Sequence, residues 1–422
     1  MRALFDVVMG QFVRFGSLRI RYPDGRISVH GVANGPVAGM AFADWRAVRR
    51  MLFNPALAFG EEYTDGAIEP LDCTLADLVE VLFRNQAVGG EHPGLLVQRN
   101  LRRLTRFATG AVTPARARRN VAHHYDLNGR LYSLFLDRDR QYSCAYFPTG
   151  NETLEEAQKA KKQHIAAKLL LDRPDLSVLD IGCGWGGLSL TLAQDYGALV
   201  TGITLSVEQH AEATARAAAA GLADRVRFEL IDYRAVRGRF DRIVSVGMFE
   251  HVGLANYAEF FITVRDLLAE DGVALIHAIG RSDGPGITNA WIDRYIFPGG
   301  YTPALSEVFS AVEPTGLVAT DCEILRLHYA ETLRHWRRRF AANRDAIAAL
   351  YDSRFCRMFE LYLIGAEMTF RYLGQMVWQL QLARQQDAVP LTRDYMAQAA
   401  AAPVEYRHTT RDHPTLSRDA GD

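Results

Sequence analysis

Val178-Leu-Asp-Ile-Gly-Cys-Gly-Trp-Gly-Gly187 is the stretch on which the fold turns. Its first residues are an apolar run suited to a buried strand, the glycines end that strand, and Leu188-Ser-Leu-Thr-Leu-Ala-Gln-Asp-Tyr196 follows as a helix. A strand that passes through a glycine-rich turn into a helix opens a βαβ unit.

The pattern repeats outward. Short β-branched runs at 177–181, 199–203, 226–231, 242–246 and 273–278 alternate with helical stretches at 188–196, 207–220 and 257–269. Residues 317–327 and 376–382 read as a sixth and a seventh strand. Between those two, Leu333, Trp336, Phe340, Ile347, Phe355, Phe359 and Leu363 mark a long helical insertion with an aromatic-rich face. That face suits core packing or a lid over an apolar substrate. The expected class is α/β, a doubly wound Rossmann-like domain with this long helical insertion, preceded by a small mixed α/β domain.

Glycines 182, 184 and 187 satisfy G-x-G-x-x-G, a spacing that fits a dinucleotide site. Such a site wants an acid about 20 residues on to hold ribose hydroxyls. Here Thr201-Gly-Ile-Thr-Leu-Ser206 has none, and an acid, Asp180, stands ahead of the glycines instead. A carboxylate there opposes a pyrophosphate and favours an ammonium or sulfonium. S-adenosylmethionine carries both, so it is the expected donor, with Asp232 placed to reach the adenine amine.

The chain has 422 residues, 49% apolar and 23% charged, which is room for two or three domains with full cores. No apolar run approaches the roughly 18 residues that span a bilayer, and no signal peptide is evident, so a cytoplasmic location is expected. The five cysteines, at 73, 144, 183, 322 and 356, lack C-x-x-C spacing, which argues against disulfides and metal clusters. A net charge of −1 suggests no nucleic-acid partner. Yet no acid falls between Glu91 and Asp126, where Arg99, Arg102, Arg103, Arg106, Arg116, Arg118 and Arg119 cluster among leucines. That basic stretch reads as a solvated linker or as a surface drawn to anionic lipid.

Near the N-terminus, Leu18-Arg-Ile-Arg-Tyr22 and Arg26-Ile-Ser-Val-His30 flank Pro23-Asp24-Gly25 as a hairpin. Helices are expected around Asp44 to Leu52 and Leu75 to Arg84, and nothing catalytic stands out before residue 95. The expected division is 1–95 for the small domain, 96–125 for the basic linker or helix, 126–390 for the catalytic domain and 391–422 for a tail.

Several ordered motifs carry a family resemblance. They are His124-Tyr-Asp-Leu-Asn128, Phe135-Leu-Asp137, Gln141-Tyr-Ser-Cys-Ala-Tyr-Phe147, Thr204-Leu-Ser-Val-Glu-Gln209, Gly247-Met-Phe-Glu-His-Val-Gly253, Ile276-His-Ala-Ile-Gly280, Tyr295-Ile-Phe-Pro-Gly-Gly300 and His328-Tyr-Ala-Glu331. The chain resembles the cyclopropane-fatty-acyl-phospholipid synthases and the mycolic acid cyclopropane synthases. Its first hundred residues, with Phe59-Gly-Glu-Glu-Tyr-Thr-Asp-Gly66, are similar to the extra domain of the phospholipid enzymes.

The resemblance implies methyl transfer from S-adenosylmethionine to a cis alkene of an acyl chain in membrane phospholipid, then loss of a methyl proton to bound bicarbonate and closure of a cyclopropane ring. It implies that bicarbonate is held by Cys144, Glu250, His277, the Ile279 amide and Tyr329. It also assigns the donor to Tyr142, Ser143, Asp180, Gly182, Gly184, Gly186, Thr204, Gln209, Asp232 and Tyr233. Tyr142, Tyr146, Phe147, Phe249, Tyr295, Phe297 and Tyr329 are the candidate aromatic lining for a passing cation. A peripheral position on the inner membrane face and a homodimer are further implications. The alternative outcomes are a methyl-branched or methyl-unsaturated chain, and a non-catalytic lipid-binding protein.

Overall fold

The computed structural model describes residues 1–32, 34–89 and 129–401, with side chains to 397. The basic stretch from Arg99 to Arg119, the motif at 124–128 and the domain boundaries at 95 and 126 lie outside the described residues.

Near the N-terminus, alternation of inward Leu18 and Ile20 with outward arginines makes β1 (Ser17–Arg21), which pairs with β2 (Ile27–Gly31) across the turn at Gly25. Strands β3 (Val37–Phe42) and β4 (Ile68–Pro70) complete a sheet in the order β2-β1-β3-β4. Helices pack on it. Asp44 accepts from the Ala47 amide at 2.7 Å to start Trp45–Phe53, and Thr74 with Asp77 forms a capping box for Leu75–Ala87. Helices Arg2–Phe12 and Pro55–Thr64 go beyond the sequence expectation.

The larger sheet has seven strands in the order β10-β11-β9-β8-β5-β6-β7. Strands β5 (Ser177–Ile181), β6 (Leu199–Thr204), β7 (Val226–Leu230), β8 (Phe240–Val246) and β9 (Leu268–Arg281) run parallel. Strands β10 (Val318–Leu325) and β11 (Gln375–Ala383) join antiparallel at one edge. The expected strands thus all form, within a few residues except for a longer β9. Runs such as Val273–Ile276 are fully buried because helices cover both faces of the sheet. The strand order reverses at β5, which pairs with β6 on one side and β8 on the other. A crevice at the carboxyl ends of these strands is where such a sheet binds ligands.

The expected helical insertion is three helices, His328–Ala342, Arg344–Leu350 and Ser353–Tyr372. Leu333, Trp336, Phe340, Ile347, Phe359 and Leu363 are all buried, so the aromatic stripe is largely core. The last of these helices is also the seat of the N-terminal unit. Arg357 lies 4.1 Å over the Tyr63 ring and donates to the Tyr63 carbonyl at 2.6 Å, Arg354 pairs with Asp65 at 2.9 Å, and the Tyr372 hydroxyl donates to Glu80 at 2.9 Å. Part of the expected tail is helical too: Asp394–Ala401 is a helix in which the Tyr395 hydroxyl accepts from Gln381 at 2.8 Å.

Candidate active site

The turn after β5 is built on left-handed backbone. Gly182, Gly184 and Gly186 have φ of +84°, +56° and +79°, a region that glycine enters without strain. At Gly186 space matters as well, since a Cβ there would lie 2.6 Å from the Phe228 ring. The turn walls a cavity at the switch point that is also lined by Tyr142, Ser143, Thr204, Gln209, Asp232 and Tyr233. Eight of the ten residues expected around the donor therefore meet in one hollow. Asp180 and Gly186 do not line it. Asp180 is buried behind the turn, accepts from Ser189 Oγ at 2.6 Å, and is pushed up to about 6 by burial. Gly186 instead caps the start of helix Gly187–Tyr196.

Thr204 Oγ1 donates to Gln209 Oε1 at 2.8 Å, which fixes the amide at the cavity wall. Asp232 is held by Arg234, whose Nε and Nη2 donate to Oδ1 and Oδ2 at 2.8 Å each. Its carboxylate thus meets a guanidinium in addition to any amine in the cavity.

A second, larger cavity of about 780 Å³ lies against the first. Tyr142, Ser143, Gly247 and His251 line both. Cys144, Glu250, His277, Ile279 and Tyr329, which come from four separate parts of the chain, all line the larger one. Glu250 follows β8 and His277 and Ile279 lie on β9, so the neighbouring strand ends deliver three of the five together. Cys144 is in the loop before helix Leu154–Lys168, and Tyr329 is in the first turn of His328–Ala342.

Burial governs their electrostatics. The Ile279 amide donates to Glu250 Oε1 at 2.6 Å, while Glu250 Oε2 is buried with no hydrogen-bond partner. Burial pushes the Glu250 carboxyl up to about 7, the Ile279 bond opposing it. His277 and His251 are driven the other way by burial, His251 down to about 4, so both rings are neutral. The Cys144 thiol is raised by burial and donates to the Ala145 carbonyl at 3.3 Å, so it is a thiol and a donor rather than a nucleophile.

The family model for mycolic acid cyclopropane synthetase matches residues 113–380. The chain is 36% identical to the cyclopropane-fatty-acyl-phospholipid synthase of Escherichia coli over 359 residues, covering 82% of this chain and 90% of that one. This chain belongs to the cyclopropane synthetase family of S-adenosylmethionine-dependent enzymes. A synthetase of this family that was solved with SAH and CTAB, a mycolic acid cyclopropane synthase, superposes at a TM-score of 0.60 and 34% identity, covering 63% of this chain and 97% of that one. The chain is also 44% identical over 258 residues to a protein of Pseudomonas putida described as a probable fatty acid methyltransferase; the match takes in 59% of this chain and 65% of that relative's length.

In this member of the family the aromatic lining differs from expectation. Tyr142, Phe297 and Tyr329 line the larger cavity. Phe249 does not: it is fully buried on the other side of the strand, with its ring 4.3 Å from Tyr257 and 5.2 Å from Phe260. Tyr146 is stacked between His164 and His328 at 4.3 and 4.9 Å, Phe147 packs on His335, and the Tyr295 hydroxyl donates to Glu61 at 2.7 Å. These four rings pack the frame around the cavity rather than its surface.

Sequence reading also missed contributors to the site. Lys161 is wholly buried, and its Nζ donates to Gln141 Oε1 at 2.6 Å and to Ser143 Oγ at 2.9 Å, which fixes the loop that carries Tyr142 to Cys144. Gln158, one turn earlier, donates to the Ser143 carbonyl at 2.9 Å. Polar residues on the inner face of helix Leu154–Lys168 masked its period. The N-terminal unit contributes as well: Phe59, Gly60, Val79, Leu82 and Phe83 line the far end of the larger cavity. Their apolar spacing reads as ordinary core, and only their position against helix Ser353–Tyr372 reveals the second use.

Proposed function

We propose that this enzyme transfers the methyl group of S-adenosylmethionine to the cis double bond of unsaturated acyl chains in membrane phospholipids, forming a cyclopropane ring. The observation that carries the reading is the convergence of Cys144, Glu250, His277, Ile279 and Tyr329 on one cavity that shares the wall Tyr142, Ser143, Gly247 and His251 with the glycine-turn cavity. When bound, S-adenosylmethionine supplies an electrophilic methyl carbon. The glycine turn with Thr204 and Gln209 would hold it, and Tyr142 and Ser143 stand on the wall that the two cavities share.

An alkene is a weak nucleophile, so its π bond must be held against the methyl carbon without water. The larger cavity has suitable walls for this, since Leu333, Leu361, Phe297 and Phe370 are apolar and the Tyr329 and Phe370 rings stand 4.9 Å apart. As the π pair forms the new C–C bond, the methyl–sulfur bond would break with its pair left on sulfur, positive charge would develop on the second alkene carbon, and ring faces would stabilise it. Bicarbonate, when bound there, would supply a compact base for the methyl proton. The residues fit it: the Cys144 thiol, the Tyr329 hydroxyl and His277 offer donors, and the partnerless Glu250 Oε2 is an acceptor for a shared proton. The Ile279 amide, already engaged by Glu250, positions that carboxyl and would reach an anion only by changing partner.

Phospholipid as the substrate is supported by the similarity to the Escherichia coli enzyme, which extends over most of both chains. No described helix is long and apolar enough to cross a membrane, and we place the enzyme on the inner face of the membrane, held by the basic stretch 99–119 and acting as a homodimer. The chain's segments would then divide as 1–95, 96–125, 126–390 and 391–422. The second outcome of the same methyl transfer is a methyl-branched or methyl-unsaturated chain; the Pseudomonas putida relative, described as a probable fatty acid methyltransferase, fits either product.

The test is incubation with labelled S-adenosylmethionine and vesicles of defined unsaturated phospholipid, with and without bicarbonate, followed by mass analysis. A product one CH2 heavier that has lost its alkene and resists hydrogenation is expected. A heavier product that retains the alkene, or is fully saturated and branched, supports the second outcome. No label in any lipid overturns both. Binding to anionic vesicles that ignores salt overturns the membrane placement.

A further inference from the structure

His277 has a buried partner outside the cavity. In the antiparallel register of β9 with β11, Gln379 stands directly opposite His277, so the two side chains share one face of the sheet. Gln379 is fully buried and His277 is 2% exposed. Gln379 Nε2 lies 3.1 Å from His277 Nδ1, and because an amide nitrogen can only donate, Nδ1 is the acceptor. Gln379 does not line the cavity, whereas His277 does.

A neutral imidazole carries one N–H. With Nδ1 accepting from the amide, that hydrogen sits on Nε2. A ring in this state can donate at Nε2 but has no lone pair free to receive a proton: the one at Nδ1 is taken, and Nε2 has none. Burial, with Lys161 and Lys168 as nearby positive charges, disfavours a second proton on the ring. The carboxyl of Glu250 is the complement, with Oε1 occupied by the Ile279 amide and Oε2 buried and partnerless.

We propose that Gln379 is a positioning residue that fixes His277 as the Nε2–H tautomer, a donor to the anion, so that Glu250 and not His277 receives the proton released at ring closure. The donor role rests on the bicarbonate reading above, while the tautomer does not. In the balance of the step, the methyl C–H bond breaks, its electron pair forms the closing C–C bond to the cationic carbon, and the proton, taken up through the bound anion, ends on Glu250 Oε2 before passing to solvent. No oxidant or reductant is needed.

The experiment is nitrogen-15 NMR of the full-length protein with labelled histidine, the His277 signals being assigned by their loss in His277→Asn. Wild type is expected to show an unprotonated Nδ1 and a protonated Nε2. Gln379→Glu sets an acceptor against Nδ1, so its ring should move to Nδ1–H or to the doubly protonated form. Its half-saturating bicarbonate concentration should rise roughly tenfold, with KM for S-adenosylmethionine unchanged. A wild-type ring protonated at Nδ1 overturns the proposal without any variant having to fold. So does a Gln379→Glu variant that keeps both the wild-type tautomer and the wild-type bicarbonate response. A wild-type enzyme indifferent to bicarbonate removes the anion reading and the donor role together, and is told apart because the Nε2–H spectrum would persist.

Discussion

Lys161 Nζ donates to Ser143 Oγ at 2.9 Å in a place from which solvent is excluded, so a buried cation sets the loop that separates the two cavities. Replacing it by Met keeps the bulk and removes both donors, to Ser143 and to Gln141. A hydrogen bond from a charged group is worth about 1.5–3 kcal/mol, so Lys161→Met should weaken S-adenosylmethionine binding by roughly tenfold or more, as measured by calorimetry. Burial also pushes Lys161 down to about 8. Above that pH the unfolded chain holds a proton that the folded one has lost, so this group makes stability rise with pH from about 8 toward the ordinary lysine range. Urea titrations across that window should show a shallower rise in the Met variant.

Glu250 has the opposite sign. Its folded carboxyl is raised to about 7, so the folded state holds more protons than the unfolded one between the ordinary carboxyl range and neutrality. Stability from this group is full at low pH and is lost as pH climbs through about 7. Glu250→Gln removes that loss and should unfold later than wild type at about pH 8, by up to about 3 kcal/mol, while ring formation falls sharply. A variant that is less stable at that pH would show that the carboxylate is compensated in the folded protein.

The glycine turn separates conformation from space. Gly184 has φ +56° with nothing within 4 Å of an added Cβ, so Gly184→Ala should cost only the left-handed penalty, about 1–2 kcal/mol. Gly186→Ala adds a collision with the Phe228 ring at 2.6 Å and should cost about 2–4 kcal/mol. Denaturant midpoints of the two variants check the order.

Gly365 lines the larger cavity from the middle of helix Ser353–Tyr372, with nothing within 4 Å of an added Cβ. Gly365→Ala should stabilise the protein by about 0.5–1 kcal/mol through helix propensity. Gly365→Phe should raise KM for phospholipid several-fold and leave that for S-adenosylmethionine unchanged, as read from steady-state kinetics with vesicles.

Local signals made most of the catalytic fold legible. Strands such as Ser177–Ile181 and Val273–Ile276 announce themselves because buried parallel strands are mostly apolar runs and turns are marked by glycine, while Gln375–Ala383 shows by its alternation. Helix Leu154–Lys168 was not legible, because Gln158, Lys161 and Lys168 occupy its inner face and hide the apolar period. The five residues of the larger cavity were found through family motifs, since Cys144 and Tyr329 are far apart in the chain and neither carries a local signature. Phe249 was misplaced for a related reason: it adjoins Glu250, but the one-turn 3₁₀ helix at Phe249–His251 sends consecutive side chains to different sides. Gln379 reads as one polar residue in an alternating strand, and only the strand register shows what it faces.

Tyr142, Ser143, Gly247 and His251 form a partition with a hollow on either side. On the proposed reading the donor and the acyl chain meet only across these four residues, so a substitution in the partition bears on both at once.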